Sequence, residues 1–232
     1  WGLLIPISRE FHQYINLRTV QVLRGLPSPL KQADTTDIQF KIFRENTEGE
    51  YSRIGGIINE GMGNGETALQ VSTFSRLGCE RVIRYGFELV RQSPRKRLFA
   101  ATKSNGIIHT MPYWDDIFNE IAAEYTDVEA ELTHVDALAA MMVLKPHEYD
   151  VIVASNLFGD ILSDLGGAIM GSIGIAPSAN LNPDGRYPSM FEPVHGSAPD
   201  IAGQGIANPI GQVWTASLLL QHIEEHELAQ RV

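Results

Sequence analysis

The chain has 232 residues, enough for one large domain or two small ones. With 44% hydrophobic and 20% charged residues, its composition is that of an ordinary folded protein and not of a disordered one. Eighteen basic residues against twenty-eight acidic ones leave a net charge of −10, which argues against a nucleic-acid-binding footprint. Positions 1–18 mix apolar and polar residues at helical spacing, with Phe11, Tyr14, Ile15 and Leu17 on one broad face, so a helix is expected there. Strands are expected at 20–23 and at 37–45, the second alternating apolar and polar. The Gly-rich stretch 55–65 reads as an arm or hairpin reaching out of the body, followed by a strand at 68–74. A helix over 75–93 carries Val82, Ile83, Phe87 and Val90 on one side, and 98–102 is a short buried strand. Helix at 115–125, strand at 128–134 and helix at 136–144 continue the alternation. The strand at 150–155 is apolar throughout; a helix at 156–170 and a long final helix at 209–228 follow. The pattern predicts an α/β fold with a sheet that is at least partly parallel. The Gly- and Pro-rich segment 171–193 is the candidate seam between domains.

No apolar run approaches the ~18–20 residues that span a bilayer, and no basic n-region precedes an apolar stretch at the start. The single cysteine, Cys79, excludes an internal disulfide and a cysteine metal site, which fits a reducing compartment; a cytoplasmic protein is expected. The chain begins at Trp1 and stops at Val232 inside a helical pattern, so both ends read as cut.

The segment Asn156-Leu-Phe-Gly-Asp160-Ile-Leu-Ser-Asp164 is the most informative. Its two aspartates stand one helical turn apart and share a face, so both carboxylates reach one point in space. A hard divalent cation such as magnesium or manganese would turn their repulsion into attraction. Acidic residues at a helix start also suit the macrodipole without any metal. Arg9, Arg18 and Arg44 are candidate guanidinium forks for a small di- or tricarboxylate, although arginines are equally at home on a solvated surface. Lys103, at the end of its strand, is a candidate base; Asp136 is a candidate ligand or simply a helix cap. The turn-rich loop from Phe191 to Gly203 could hold a polar ligand such as a ribose through backbone amides and acidic side chains. Gly166, Gly167, Gly171 and Gly174 do not form a dinucleotide fingerprint. His222-Ile-Glu-Glu-His226 matches an inverted zinc-protease pattern, but the chain ends too soon after it to offer a third ligand.

Taken in order, Asn16-Leu-Arg18, the run from Arg44 to Tyr51, Thr102-Lys-Ser-Asn, the run from Asn156 to Asp164 and His195-Gly-Ser-Ala-Pro-Asp200 resemble the β-decarboxylating dehydrogenase family. That family includes isocitrate, isopropylmalate, tartrate and D-malate dehydrogenases. Trp1-Gly-Leu-Leu, Arg9-Glu-Phe, Asn180-Leu-Asn-Pro183 and Phe191-Glu-Pro resemble its tartrate and D-malate branch. The resemblance implies an isopropylmalate dehydrogenase-like α/β fold with a large mixed sheet. Residues 14–170 would be the substrate-binding and dimerisation domain, and 1–13 with 171–232 part of a cofactor domain whose N-terminal portion is missing. It implies NAD-dependent oxidative decarboxylation of a small 2-hydroxy acid: hydride transfer, loss of carbon dioxide, then protonation. Asp136, Asp160 and Asp164 would ligate magnesium or manganese, Lys103 would be the general base and Tyr51 the acid, with a monovalent cation as a further cofactor. Lys103 and Asp136 would come from the second subunit of a homodimer, with the arm in its interface. Glu192, His195, Gly196, Ser197, Ala198, Asp200 and Asn208 would bind NAD, and Asp200 with Ile201 favour NAD over NADP.

The family's first substrate arginine aligns with Ser8, so that contact is weakened, moved to Arg9 or lost; Arg9, Arg18 and Arg44 are the candidate substrate-binding residues. Trp1, Gly2 and Leu4 lack the signatures of isopropylmalate and isocitrate enzymes, which favours a compact four-carbon acid such as D-malate or tartrate. The alternatives are turnover of isopropylmalate or isocitrate, or a catalytically silent homologue that only dimerises.

Overall fold

The structure, a computed structural model, describes residues 3–31 and 37–232. Trp1 and Gly2, which bear on substrate choice above, lie outside the described residues. Seven strands hydrogen-bond into one mixed sheet: β1 (Ile15–Gln21), β2 (Gln39–Glu45), β5 (Arg97–Thr102), β6 (Glu129–His134), β7 (Val151–Ala154), β8 (Pro177–Leu181) and β9 (Met190–Pro193). Two more, β3 (Gly55–Ile58) and β4 (Thr67–Gln70), form a separate antiparallel hairpin whose eight residues are all exposed, the arm expected from its glycines. The strand order is β6–β5–β7–β2–β1–β8–β9. The first four run parallel, while β1 is antiparallel to both of its neighbours and β9 is antiparallel to β8.

Alternation along the central strands sets the layering. β2 sends Phe40 and Ile42 to one face and Phe43 to the other; β5 and β7 divide Leu98, Ala100, Val151 and Val153 from Phe99, Ala101, Ile152 and Ala154 in the same way. Helices α2 (Arg76–Val90) and α3 (Thr110–Ala122) cover the first group's face with Val82, Ile83, Phe87, Trp114 and Phe118. On the other face lie α4 (Val135–Leu144) and α5 (Asn156–Ile169), through Leu138, Met142, Phe158 and Leu162. Both faces being buried is why β7 is apolar throughout. The expected start of the helix at 75 is a cap: Ser75 Oγ accepts the Gly78 N–H at 3.0 Å. Among the described residues, no helix is long and apolar enough to cross a membrane.

Two local expectations are corrected. Of the described residues among the first eighteen, α1 (Leu4–Glu10) alone is helical; His12 takes a φ of 45°, and Ile15 already opens β1, so Arg18 projects from a strand. The final helix is two, α6 (Ile210–His222) and α7 (His226–Arg231), separated by Glu224 at φ 65°. His222 and His226 therefore sit on different helices, and the zinc-protease spacing loses its geometric basis. Segment 171–193 carries β8 and β9, which extend the same sheet beyond β1.

Candidate active site

Because β1 runs antiparallel to β2, the first residues of β1 lie beside the carboxyl end of β2. A cavity of 670 Å³ opens there, lined among others by Arg9, Arg18, Arg44, Tyr51, Asp160 and Glu192. Arg44 reaches it from the end of β2 because α5 can come close. A Cβ on Gly159 would stand 2.5 Å from Arg44 Cβ and 3.1 Å from its Cα, so only glycine fits at that crossing. Arg44 Nε and Nη2 donate to Asn156 Oδ1 at 3.0 and 2.7 Å, and Nη1 pairs with Asp160. The Tyr51 hydroxyl donates to the other Asp160 oxygen at 3.0 Å. Burial first, and then Asp160, raise the Tyr51 pKa above its ordinary 10, so the phenol keeps its proton at neutral pH.

The loop carrying Tyr51 is stitched to α5. Glu50 accepts from Ser155 Oγ at 2.6 Å and from the Leu157 N–H at 3.0 Å, satisfying donors that a helix start leaves open. Asn156 Nδ2 donates to the Glu48 carbonyl at 2.7 Å. Among the described residues Arg18 makes no ion pair. Its Nε donates to Asn16 Oδ1 at 2.7 Å, while Nη1 is buried without an acceptor among the described residues. Burial, and then the nearby Arg44 charge, draw its pKa from 12.5 down to about 10. A buried guanidinium beside a second cation is an environment that an anionic ligand would relieve.

Asp164 follows Asp160 by one turn of α5, and burial and then the Asp160 charge raise its pKa, with Arg18 and Arg44 opposing. A divalent cation would suit this pair, since a positive ion removes the repulsion that raises Asp164. The two acids are nevertheless an incomplete donor set: among the described residues no three His, Cys, Asp or Glu side chains converge on one point. Asp136 sits elsewhere, where Lys103 Nζ donates to its Oδ2 at 2.9 Å, a bond that holds its carboxyl below the usual range. Lys103 and Asp136 thus stand together, but neither lines the cavity that holds Tyr51, Asp160 and the arginines.

The expected cofactor residues divide three ways. Glu192 faces the cavity from β9 and accepts from Asn180 Nδ2 at 3.0 Å. His195, Gly196, Ser197, Ala198 and Asp200 follow in a turn-rich loop in which Gly196 and Ala198 have φ values of 59° and 38°. In that loop His195 Nδ1 lies 2.9 Å from the Gly196 carbonyl, and the Asp200 carbonyl accepts from Gln204. Asn208 Oδ1 accepts the Ile210 N–H at 2.9 Å and opens α6. Arg9 lines the cavity with its guanidinium 3.5 Å from the Tyr51 carbonyl, while Ser8 is buried beside it.

Sequence reasoning overlooked Arg53, Ser52 and Gln70, which bring the root of the arm to the cavity wall. The one available signal was that Arg53 stands two residues beyond Tyr51. The helix-holding role of Glu50 and the orienting role of Asn156 were not visible either, because both depend on partners about 105 positions away.

The sequence profile of the isocitrate/isopropylmalate dehydrogenase family matches residues 2–232. A probable tartrate dehydrogenase/decarboxylase of Bacillus subtilis is 55% identical over all of this chain and 64% of its own length. The D-malate dehydrogenase (decarboxylating) of Escherichia coli is 53% identical over 96% of this chain and 62% of its own. The crystal structure of isocitrate dehydrogenase from Methylococcus capsulatus superposes with a TM-score of 0.90 at 36% identity, over 99% of this chain and 65% of that one. The chain therefore spans a little under two thirds of the length of these relatives. With the ordered motifs, the mixed sheet and the matching profile in agreement, the chain belongs to the isocitrate/isopropylmalate dehydrogenase family.

Proposed function

We propose that this chain serves the NAD-dependent oxidative decarboxylation of a small 2-hydroxy dicarboxylic acid, D-malate or tartrate, as half of a homodimer with shared active sites. The observation that carries the reading is the cavity itself: Arg9, Arg18 and Arg44 converge beside the Asp160–Asp164 face, which suits a doubly charged substrate next to a divalent cation. Relatives named for tartrate and D-malate support the choice of acid. Asp160 and Asp164 would hold magnesium or manganese together with Asp136 of a second copy, and Glu192 with the 195–200 loop and Asn208 would hold NAD. When bound, NAD accepts the hydride and the metal supplies Lewis-acid stabilisation of the charge that develops on the substrate.

The chain's own groups do the rest. Arg18 and Arg44 bind the carboxylates and fix the orientation of the substrate. Lys103 of the second copy takes the hydroxyl proton. Tyr51, kept protonated by its raised pKa, returns a proton to carbon after carbon dioxide has left. The dimer is supported by exposed apolar side chains on the arm and on α4, including Ile57, Ile58, Leu69, Met141 and Val143, which a second copy would cover. A cytoplasmic setting belongs to this reading, and a reduced, buried Cys79 is consistent with it.

The test is NADH formation by the purified chain with manganese and NAD, offering D-malate, the tartrates, isocitrate and isopropylmalate separately. Turnover of D-malate or a tartrate that EDTA abolishes is the expected result. Preference for isocitrate or isopropylmalate would overturn the substrate choice. Dicarboxylate binding without turnover would favour the silent, dimerising homologue.

A further inference from the structure

We propose that Asn180 is a positioning residue, whose carboxamide ties the substrate-side guanidinium of Arg18 to the Glu192 carboxylate across three strands. Arg18 Nε donates to Asn16 Oδ1 at 2.7 Å, Asn16 Nδ2 donates to Asn180 Oδ1 at 2.8 Å, and Asn180 Nδ2 donates to Glu192 Oε1 at 3.0 Å. Asn46 Nδ2 adds a second donor to Asn180 Oδ1 at 3.0 Å. The sheet register produces the alignment: Asn16 lies opposite Asn180 between β1 and β8, and Glu192 sits on β9 opposite Ser178, two residues away on the same face.

The direction of the relay is fixed by its ends. A guanidinium only donates and a carboxylate only accepts, so both amides must turn their oxygens toward Arg18 and their nitrogens toward Glu192. Asn16 and Asn180 are 2% and 3% exposed, so water cannot replace a lost link cheaply. Arg18 at one end of the relay and Glu192 at the other both line the cavity, together with the charged Arg9, Arg44, Glu50, Arg53 and Asp160. From α6, packed on β8 and β9, His222 lies against the Phe191 ring on the opposite face from Glu192. Glu192 is an expected cofactor residue and Arg18 an expected substrate residue. Asn180 therefore makes the placement of one depend on the other, a consequence that rests on the function proposed above.

Asn180→Asp separates this role from a merely structural one. The aspartate carboxylate still accepts from Asn16 Nδ2 and Asn46 Nδ2 but has no N–H to give Glu192, so it removes that one link. Asn180→Ser is too short to span the gap at either end. Two measurements follow: the NMR signal of the Arg18 Nε–H in the ligand-free chain, and calorimetric binding of D-malate with manganese, both at neutral pH. A protected Arg18 signal is expected in the unsubstituted chain, and weakened protection in both variants. Affinity for D-malate should fall about tenfold in each variant, the size of one lost charge-assisted hydrogen bond. An Arg18 signal that is the same in all three proteins would overturn the relay. If the unsubstituted chain binds no dicarboxylate, the reading of the cavity fails, and the ligand-free signal still decides the relay.

Discussion

Two cation–carboxylate pairs stand at the carboxyl ends of the parallel strands, and they live in different worlds. Arg44 and Asp160 are 12% and 39% exposed at the side chain; Arg44 donates to Asn156, Asp160 accepts from Tyr51, and the pair forms part of the wall of a cavity. Lys103 and Asp136 are 30% and 67% exposed and have each other, on a rim flanked by exposed apolar side chains such as Ile107, Ile108 and Met141. The first pair is held by its own chain. The second, in the proposed dimer, would face a surface that a single chain does not supply. In the proposed dimer each half-site is incomplete, and what distinguishes them is whether the fold or the partner completes the environment.

The sharpest way to break this contrast is to remove Arg44. Arg44→Ala leaves Asp160 without its cation and the substrate without a fork, so D-malate affinity should drop about 100-fold, roughly 3 kcal/mol, in calorimetry with manganese. The fold itself should lose only about 1–2 kcal/mol in urea unfolding, because Asp160 is more than a third exposed and water screens the pair. Gly159→Ala attacks the same wall through packing. Its methyl collides with the Cα and Cβ of Arg44, and destabilisation of about 1–3 kcal/mol is expected together with weaker dicarboxylate binding. A melt unchanged from that of the unsubstituted chain would show that α5 can retreat from β2 without cost.

Asp164 gives a smaller effect with a definite sign. Its folded pKa lies above the ordinary 3.8, so the folded chain binds this proton more tightly than the unfolded one. The associated stability is present below about 3.8 and lost as pH rises through the raised value. Metal-free Asp164→Asn should therefore melt higher than the unsubstituted chain at neutral pH, with the gap closing toward acid. Manganese should reverse the order by stabilising only the chain that keeps the carboxylate. The smallest effect belongs to the exposed pair: Lys103→Met should leave the melting temperature within error, since exposed ion pairs add little, while turnover is lost. A large fall in melting temperature would place Lys103 among the supports of its own chain's fold and weaken the contrast.

Much of this was legible in the residues, for identifiable reasons. Strand β7 and helix α5 announce themselves because a doubly buried strand is apolar throughout and its helix restarts a 3.6-residue pattern with Asp160 and Asp164 on one face. Of β1 only the end, Val20 and Gln21, was expected as strand, because the rest is buried on both faces yet carries Asn16, Arg18 and Thr19, so neither alternation nor an apolar run marks it. Asn16 is tolerable there because Ser178 and Asn180 of β8 supply partners more than 160 positions away, which local spacing cannot reveal. The break near Glu224 has no glycine or proline to signal it. At the site, residue types and the spacing of the two aspartates were visible. The hydroxyl of Tyr51 on Asp160 and the amide relay through Asn180 are tertiary facts.

The central claim, a site divided between two copies, is tested most directly by mixing two defective chains. Asp160→Asn spoils the cavity half and Asp136→Asn spoils the exposed half, so neither protein alone should bind D-malate with manganese in calorimetry. Mixed and allowed to exchange, half of the dimers pair one of each, and one of their two sites is intact, restoring about a quarter of the unsubstituted chain's sites. Binding that stays absent in the mixture, or that survives in Asp136→Asn alone, would contradict the divided site.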